Sequence, residues 1–316
     1  MNILVTGGAG FIASHIVDAY ISAGHSVAIM DNLSTGVREN VHPGARFYQL
    51  DIRDAGKVEE VFRQERFDVV NHHAAQMDVR RSVADPMYDA SVNIIGALSL
   101  LEACVRTGVA RMVFASSGGA IYGEQESFPA DEGHVTRPVS PYGVAKLATE
   151  EYLFYYKAVH NIQSVALRYG NVYGPRQNPA GEAGVIAIFT SKLLTGDQPI
   201  INGDGLQTRD YVFVRDVVQA NLLALGCARS ELFNIGTGIE TTVNELFDSL
   251  NAIIGSNAQR QNGPAKKGEQ LRSVLNSARI AATLGWHPAV SLNEGLQKTV
   301  EYFRERRGAH GSSSRH

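Results

Sequence analysis

Two side chains in the middle of the chain have the types and spacing needed to remove a proton from an alcohol. Tyr142 and Lys146 are four residues apart, so on an α-helix they share one face. A helix is predicted because Ser140 is a good N-cap residue and Pro141 suits the first helical position. A free phenol, with a pKa of about 10, is a poor base at neutral pH, but a nearby ammonium group favours the phenolate. The pattern predicts Tyr142 as a general base assisted by Lys146, with an ordinary surface helix as the alternative.

Two serines end a predicted strand that precedes this helix. Residues 111–117 are mostly apolar and finish in Ser116 and Ser117. Open parallel sheets bind their ligands at the edge formed by the carboxyl ends of the strands. The two hydroxyl groups are therefore candidates to contact the same ligand as the tyrosine and the lysine.

The elements that must position these residues alternate between short apolar runs and helical patterns. The runs that predict strands are residues 3–6, 26–30, 47–51, 68–71 and 111–117, and most are continuously apolar. Such runs are typical of strands that helices cover on both faces. Between the first two, Ile12, Ile16, Tyr20 and Ala23 mark one face of a helix. Repeated strand-helix-strand units predict an α/β fold with a doubly wound (Rossmann) parallel sheet.

A glycine-rich turn between the first strand and the first helix predicts a dinucleotide site. Gly7 suits a tight turn, Gly10 lets the backbone approach a pyrophosphate, and Ala13 lets helix and strand pack closely. The helix N-terminus then offers free N–H groups to the phosphates. Asp31 ends the second strand, where it would accept from the adenosine ribose hydroxyls and repel a 2′-phosphate. We therefore predict NAD as the cofactor, with an N-cap role for Asp31 as the alternative. Asp51, at the end of the third strand, is placed to contact the adenine amino group.

The regular alternation of strand-like and helix-like segments ends after about residue 175. Five glycines between residues 181 and 205 break it into shorter elements. We predict an NAD-binding domain over residues 1–175, a smaller α/β substrate-binding part mainly over 176–307, and a disordered tail over 308–316. A strand-like run at 210–214 and a helix at 217–225 predict that residues near 206–240 return to the main sheet.

Bulk properties exclude several classes of function. The chain has 29 basic and 32 acidic residues and a formal charge of −3. It therefore has no excess of positive charge of the kind that attracts nucleic acid or an anionic membrane. Cys104 and Cys227 are isolated, which predicts buried reduced thiols. Adjacent His72 and His73 would point to opposite faces of a strand, so we predict no metal site. No stretch is predicted to span a membrane and no signal peptide is evident, so a cytoplasmic protein is expected.

The glycine turn, the Ser-Ser strand end and the Tyr-x-x-x-Lys pair together resemble the extended short-chain dehydrogenase/reductase family. The resemblance covers about residues 1–305. Segments 31–36, 71–76, 168–176 and 208–211 are similar to the UDP-glucose 4-epimerase family within it. The resemblance implies NAD contacts by Gly7, Gly10, Phe11, Ile12, Asp31, Asn32, Ser34, Thr35, Gly36, Asp51, Ile52, Ala74, Ala75, Gln76, Asn93, Tyr142, Lys146 and Tyr169.

The same resemblance implies a UDP-hexose as substrate. The positions implied to bind it are Ser117, Tyr142, Asn171, Val185, Asn202, Arg209, Lys266, Glu269 and Ser273. A guanidinium fork at Arg209 suits a diphosphate. Its alternative is an ion pair with Asp204, Asp210 or Asp216, and Asn171 could instead serve an Asx turn.

Departures from the family pattern are as informative as the matches. The family places a catalytic Ser or Thr where this chain has Gly118. The hydroxyl that binds the sugar O4 must then come from Ser117, from Ser116 or from water, and we favour Ser117. Lys266 stands where the family usually has an arginine. A lysine ammonium cannot form the bidentate contact with the phosphates that a guanidinium forms.

The implied reaction is an inversion at the sugar C4 through a transient 4-keto intermediate. Related dehydratases carry an Asp-Glu pair where this chain has Gly119 and Ala120, so elimination has no obvious proton carrier. At the position implied to gate the sugar pocket, Ser273 is small, which predicts tolerance of N-acetylhexosamines. A UDP-glucuronate 4-epimerase, an NAD(H)-dependent 4-keto-sugar reductase and a non-catalytic NAD-sensing module are the alternatives. The resemblance also implies a homodimer through helices near 90–107 and 141–160.

Overall fold

A computed structural model describes residues 1–179, 184–265 and 270–313 of the chain, with side chains described as far as residue 308. Its strands are β1 (Asn2–Thr6), β2 (Ser26–Asp31), β3 (Arg46–Gln49), β4 (Val69–His72), β5 (Arg111–Ser117), β6 (Gln163–Tyr169), β7 (Asn171–Tyr173), β8 (Ile201–Asn202), β9 (Thr208–Phe213), β10 (Glu231–Ile235), β11 (Glu240–Thr242) and β12 (Asn262–Gly263).

Helices connect most of these strands. They are α1 (Phe11–Ser22), α2 (Ala55–Glu65), α3 (Val79–Ala84), α4 (Pro86–Ala90), α5 (Gly96–Thr107), α6 (Gly118–Ile121), α7 (Pro141–His160), α8 (Val185–Thr195), α9 (Val214–Leu225), α10 (Val243–Ile254), α11 (Ala278–Leu284) and α12 (Leu292–Ser313). A one-turn 3₁₀-helix covers Arg38–Asn40, and a π-helical segment, Ser91–Ile95, joins α4 to α5.

Seven parallel strands form the main sheet in the order β10-β6-β5-β4-β1-β2-β3. The order reverses beside β1, as in a doubly wound sheet, and leaves a crevice between the carboxyl ends of β1 and β4. The predicted fold class is confirmed. Strand β10 lies at one edge, so the chain returns to the main sheet after residue 206.

Apolar cores lie on both faces of this sheet. One packs α1 and α9 against the strands and includes Ile16, Val217 and Trp286. The other packs α2, α5 and α7 against the opposite face and includes Phe62 and Leu101. The near-complete burial of strand side chains on both faces explains their continuous hydrophobicity.

A third core holds the smaller part of the protein. It joins α8, α10 and α12 to the three-stranded sheet β11-β9-β7, with Phe189, Phe247 and Leu296 at its centre. The predicted run at 210–214 begins two residues earlier, at Thr208, and its helix begins at Val214.

Two predictions about where elements end differ from the structure. The third strand ends at Gln49, so Asp51 lies in the following turn. Helix α12 continues to Ser313, past the expected start of a disordered tail at residue 308, because Gly308 weakens but does not break a helix.

The stretch Pro86–Thr107 has the length and hydropathy of a membrane-crossing helix. Its apolar residues pack against α2 and α7, which accounts for the hydropathy.

Candidate active site

The crevice between β1 and β4 brings the glycine turn close to the loop after β4. Gly7 has a φ of +71°, and a Cβ there would lie 2.8 Å from the backbone nitrogen of Ala74. Gly10 is the N-cap residue of α1 and has no side chain to cap it, so the N–H groups of the first turn, which includes Phe11 and Ile12, face outward. Ala13 is buried in the core between helix and sheet. The roles predicted for Gly7 and Ala13 in the turn and in the packing are confirmed.

Asp31 is held by backbone N–H groups at the end of β2. One carboxylate oxygen accepts from Ala9, at 3.0 Å, and the other from Leu33, at 2.8 Å. Burial raises its pKa, and these two hydrogen bonds oppose that rise. Gly36 closes the turn, since a Cβ there would lie 2.9 Å from the Asp31 carboxylate. Ser34 and Thr35 are exposed on this turn. The carboxylate therefore organises the loop, and its bond to a ribose stays a prediction.

Asp51 is tied to its own turn. Its carboxylate pairs with the guanidinium of Arg53 at 2.7 Å and accepts from the amide of Asn32 at 3.0 Å. The hydrogen bonds from Arg53 hold the pKa of Asp51 well below its usual range. Ile52 is buried against Gly96, the first residue of α5. Asp51 thus remains ionised beside Asn32, and the predicted contact with adenine is untested.

The loop after β4 is fixed by a buried polar cluster. Asn93, within the π-helical segment, accepts from the Gln76 backbone N–H and donates to the Gln76 carbonyl, both at 2.9 Å. The side chains of Gln76 and Asn93 also donate to one oxygen of Asp89, at 2.9 and 3.0 Å. Ala74 donates its N–H to the Thr6 hydroxyl at 3.1 Å, and Ala75 follows it. Gln76 and Asn93 therefore hold this loop against the helices.

The predicted catalytic pair lies at the carboxyl edge of the sheet. Helix α7 begins as predicted, with the Ser140 side chain accepting from the Gly143 N–H and with Pro141 at its first position. The hydroxyl group of Ser117 lies close enough to that of Tyr142 to lower the pKa of the phenol. The Lys146 ammonium, 4% exposed, donates to the Ala115 carbonyl at 2.8 Å. One side of the crevice therefore carries a phenol, an alcohol and an ammonium group.

Burial sets the proton affinity of this pair. It raises the pKa of Tyr142 to about 12, and the hydrogen bond from Ser117 opposes the rise. It lowers the pKa of Lys146 to about 8, and the charges of Asp89 and Glu150 oppose that fall. We expected the ammonium group of Lys146 to lower the pKa of Tyr142. In the protein alone burial is the largest influence on this pKa and raises it, so a further positive charge near the phenol would favour the phenolate.

Ser116 belongs to a different network. Its hydroxyl donates to Glu150 at 2.5 Å, and Glu150 forms a buried ion pair with Arg168 at 2.6 Å. Arg168 also donates to the Tyr122 hydroxyl at 2.9 Å. Because Ser116 is committed to these buried charges, Ser117 is the serine that contacts Tyr142. Gly118 offers no alternative, because a Cβ there would lie 2.6 Å from Leu275.

Tyr169 lies in the core beneath the crevice. Its hydroxyl is 3.0 Å from the His73 ring and accepts from the Asn221 amide at 2.8 Å. The His73 and Tyr169 rings stack with centroids 5.9 Å apart. No group of histidine, cysteine and acidic side chains that could hold a metal ion occurs among the described residues. Both cysteines are free and buried, as predicted.

The positions predicted to bind substrate come from the smaller part of the chain. Asn171 begins β7, Val185 begins α8, Asn202 ends β8 and Arg209 lies on β9. Arg209 donates to the Thr208 carbonyl at 2.8 Å. Ser273 is buried, at 2% exposure. Lys266 and Glu269, together with Gly181 and Glu182, lie outside the described residues.

The carboxylates that could compete for Arg209 have other hydrogen-bond donors. Asp204 accepts from the Leu206 N–H at 2.9 Å. Asp216 accepts from two backbone N–H groups that precede α12. Asp210 accepts from Thr237, Gly238 and Leu275. These bonds give each carboxylate a structural role of its own.

Comparison with known proteins shows which family this chain belongs to. The family model described as the NAD dependent epimerase/dehydratase family matches residues 3–236. The chain belongs to this family. A protein of Methanocaldococcus jannaschii named putative UDP-glucose 4-epimerase is 47% identical over 96% of this chain and 98% of its own length.

Solved structures are similar over nearly the whole chain. The Thermotoga maritima UDP-glucose 4-epimerase with UDP-glucose is 50% identical, with a TM-score of 0.96, covering 97% of this chain and 100% of that one. The Thermus thermophilus UDP-glucose 4-epimerase in complex with NAD is 46% identical, with a TM-score of 0.92, covering 96% and 99%.

The described residues of the crevice fit NAD, the dinucleotide named in the description of the family. The Gly7 turn leaves no room for a side chain against Ala74, and the uncapped first turn of α1 opens beside it. Asp31 and Asn32 lie at the end of the adjacent strand, where a ribose of a dinucleotide would lie. Gly10, Phe11 and Ile12 would hold the pyrophosphate, and Tyr142 and Lys146 would lie at the nicotinamide end.

Sequence reasoning did not anticipate two charged groups near the catalytic pair. Glu150 lies one helical turn beyond Lys146, and that four-residue spacing was a usable signal. Asp89 lies four residues before Asn93, but its proximity to α7 depends on how α4 packs, which no local pattern predicts.

Proposed function

We propose that this protein is an NAD-dependent UDP-glucose 4-epimerase that interconverts UDP-glucose and UDP-galactose. The observation that carries the proposal is that Ser117 and buried Lys146 both lie beside Tyr142, with the Lys146 ammonium 5.7 Å from the centroid of the Tyr142 ring. The names of relatives that cover almost the whole chain support the UDP-hexose as substrate.

Each polar group of the crevice has a task in such a reaction. Tyr142 accepts the proton of the sugar 4-hydroxyl while the neighbouring Ser117 hydroxyl orients the same oxygen. NAD, when bound, supplies the hydride acceptor and a positive ring that lowers the pKa of the nearby phenol. Lys146 adds a second positive charge. After the 4-keto sugar turns over, the hydride would return to the opposite face of C4 while the protonated Tyr142 returns its proton to O4.

The absence of acids next to Ser117 favours epimerisation over water elimination. Gly119 and Ala120 carry no carboxyl group that could protonate a leaving hydroxyl or remove a carbon-bound proton. Glu150 is occupied by Arg168. A single phenol that first takes and then returns one proton is sufficient for inversion at C4.

The substrate pocket is proposed to accept a substituent at C2. Ser273, the position proposed to gate the sugar, is small and buried, and serine excludes less volume than the bulky residue that would block an N-acetyl group. We therefore propose that UDP-N-acetylglucosamine and UDP-N-acetylgalactosamine are also interconverted.

The same proposal includes a cytoplasmic homodimer. Exposed apolar side chains lie on and beside α5 and α7, including Ile95, Val144, Phe154 and Tyr155. Large exposed apolar patches mark protein interaction sites. Pairing of these helices with a second copy would cover it, and would also cover part of the apolar stretch Pro86–Thr107.

Product analysis on three substrates tests the proposal. Purified protein is incubated with UDP-galactose, UDP-N-acetylgalactosamine and UDP-glucuronate, and the sugar epimers are separated and quantified. We expect turnover of the first two without added cofactor, and stoichiometric NAD in the supernatant after denaturation. Turnover of UDP-glucuronate alone, or turnover that requires added NADH, would contradict the proposal. The Tyr142→Phe variant should lose at least about 1,000-fold in kcat if the phenol is the base.

A further inference from the structure

Asp89 is a buried carboxylate that the proposed reaction does not use. It is 1% exposed and lies near the end of α4. One of its oxygens accepts from Gln76 and Asn93, at 2.9 and 3.0 Å. The other oxygen is buried without a hydrogen-bond partner. A buried charge left half-satisfied is costly unless an opposite charge compensates it.

The charge that can compensate Asp89 is Lys146. Helix α4, which carries Asp89, packs against α7, which carries Lys146 and Tyr142, and the Asp89 charge raises the pKa of both side chains. Glu150, the other acid that acts on Lys146, is neutralised by two hydrogen bonds from Arg168, at 2.9 and 2.6 Å. Asp89 has no such guanidinium partner in the ion pairs of the described residues.

The other titratable groups around this pair carry no charge near neutral pH. From β4, burial lowers the pKa of His73 to about 3 and that of His72 well below its usual value. From β5, Ser117 contributes only a hydroxyl. The electrostatic environment of Tyr142 therefore depends on Lys146 and Asp89, with the Glu150–Arg168 pair close to neutral overall.

We propose that Asp89 is a positioning residue that keeps Lys146 in its ammonium form and sets the pH range in which Tyr142 works. This inference rests on the proposed function for its kinetic consequence. The carboxylate balances the buried ammonium, and through Gln76 and Asn93 the same group fixes the loop after β4. A variant that removes the charge of Asp89 but keeps the shape of the side chain should shift the pKa values of Lys146 and Tyr142. If Asp89 had only a structural role, the variant would change kcat and stability without shifting those pKa values.

The test is the Asp89→Asn variant of the protein purified with its bound cofactor. The logarithm of kcat is measured against pH on UDP-galactose. Because the carboxylate raises both pKa values, both limbs of the profile should move to lower pH, by about one pH unit for a charge at this range. Asp85→Asn is the matched control, since Asp85 caps the same helix and is exposed. Both limbs of its pH profile should lie at the same pH as those of wild type.

A second readout does not need activity. The ultraviolet absorbance of tyrosinate is titrated in the holoprotein, and subtraction of a Tyr142→Phe background isolates Tyr142. We expect its midpoint to fall in Asp89→Asn. An unchanged midpoint, or limbs that stay in place while kcat falls, would overturn the inference even if epimerase activity is present. If wild type shows no epimerase activity but the midpoint falls, the inference stands and the proposed function fails. Should Asp89→Asn not fold, Asp89→Ser removes the charge and leaves room for water.

Discussion

At the scale of single residues, two neighbouring serines have different roles because successive side chains of a strand point to opposite faces. Ser116 points towards the buried Glu150–Arg168 pair. Ser117 points towards the crevice and acts on the pKa of Tyr142. The geometry supports Ser117 as the hydroxyl that replaces the one missing at Gly118.

Substitution of each serine by alanine separates these roles. Ser117→Ala should lower kcat by about 100-fold, as for loss of one positioned hydrogen bond in a transition state. Ser116→Ala should leave kcat close to wild type and lower the free energy of unfolding by about 1 kcal/mol. Steady-state kinetics and denaturant unfolding measure the two effects. The reverse pattern would assign the catalytic hydroxyl to Ser116.

Restoring the family's hydroxyl at Gly118 should fail for steric reasons. A Cβ at this position would lie 2.6 Å from the buried Leu275 side chain and 3.3 Å from the Arg168 carbonyl. Gly118→Ser should therefore reduce the free energy of unfolding by about 1–3 kcal/mol, the usual range for overpacking. The double variant with Leu275→Val should recover part of that loss in denaturant unfolding. No loss in the single variant would contradict the packing argument.

At the scale of elements, helix α7 carries both proposed catalytic side chains and depends on its first turn. Ser140 accepts the Gly143 N–H at 3.2 Å, and Pro141 contributes no unsatisfied donor. Tyr142 follows directly, so the cap fixes the direction in which the phenol enters the crevice. Lys146 lies one turn further on, inside the protein.

Loss of the cap tests this dependence. Ser140→Ala should lower the free energy of unfolding by about 1 kcal/mol, measured by denaturant unfolding. Ser140→Asp is the control, since it keeps an acceptor and adds a negative charge at the helix N-terminus. If Ser140→Ala and Ser140→Asp unfold alike, the cap does not stabilise α7.

At the scale of the whole molecule, a polar network crosses the centre of the main sheet. Asn71 donates to Tyr20 at 2.7 Å and to Asn221 at 3.0 Å, and Asn221 donates to Tyr169. His73 contacts the same Tyr169 hydroxyl. The network joins α1, β4, β6 and α9, so that one buried cluster links both halves of the doubly wound sheet.

Two neutral histidines in this region make stability depend on pH. The folded pKa of His73, about 3, lies below the unfolded value of 6.5, and His72 behaves alike. Their contribution is present above pH 6.5 and is lost as the pH falls towards 3, because the unfolded chain binds the protons first. The free energy of unfolding should fall by about 1.4 kcal/mol per pH unit for each histidine.

Denaturant unfolding between pH 6.5 and 5 measures this slope. His73→Gln keeps a polar side chain but cannot be protonated, so its slope should be smaller than that of wild type. The exposed His287→Gln is the control for loss of an imidazole in solvent. Equal slopes for wild type and His73→Gln would contradict the assignment.

Local chemistry in the sequence determined the parts of the site that depend on neighbours in the chain. The Gly7 turn, the Ser140–Pro141 helix start and the first five strands follow from backbone sterics, capping and hydropathy within a few residues. Strand β6 was not predicted, and for the region of β10 only a return of residues near 206–240 to the main sheet was predicted. Their place in the sheet depends on pairing with β5 and with each other, not on local pattern.

Only the tertiary structure decided which groups share the crevice. It separated Ser117 from Ser116, brought Asp89 of α4 to Lys146 of α7, and tied Asn93 to the loop after β4. These relations join residues up to about 60 positions apart, and their geometry is set by helix and strand packing. Side-chain types and spacing fixed what Tyr142 and Lys146 can do, and long-range packing fixed the charges and hydrogen bonds under which they do it.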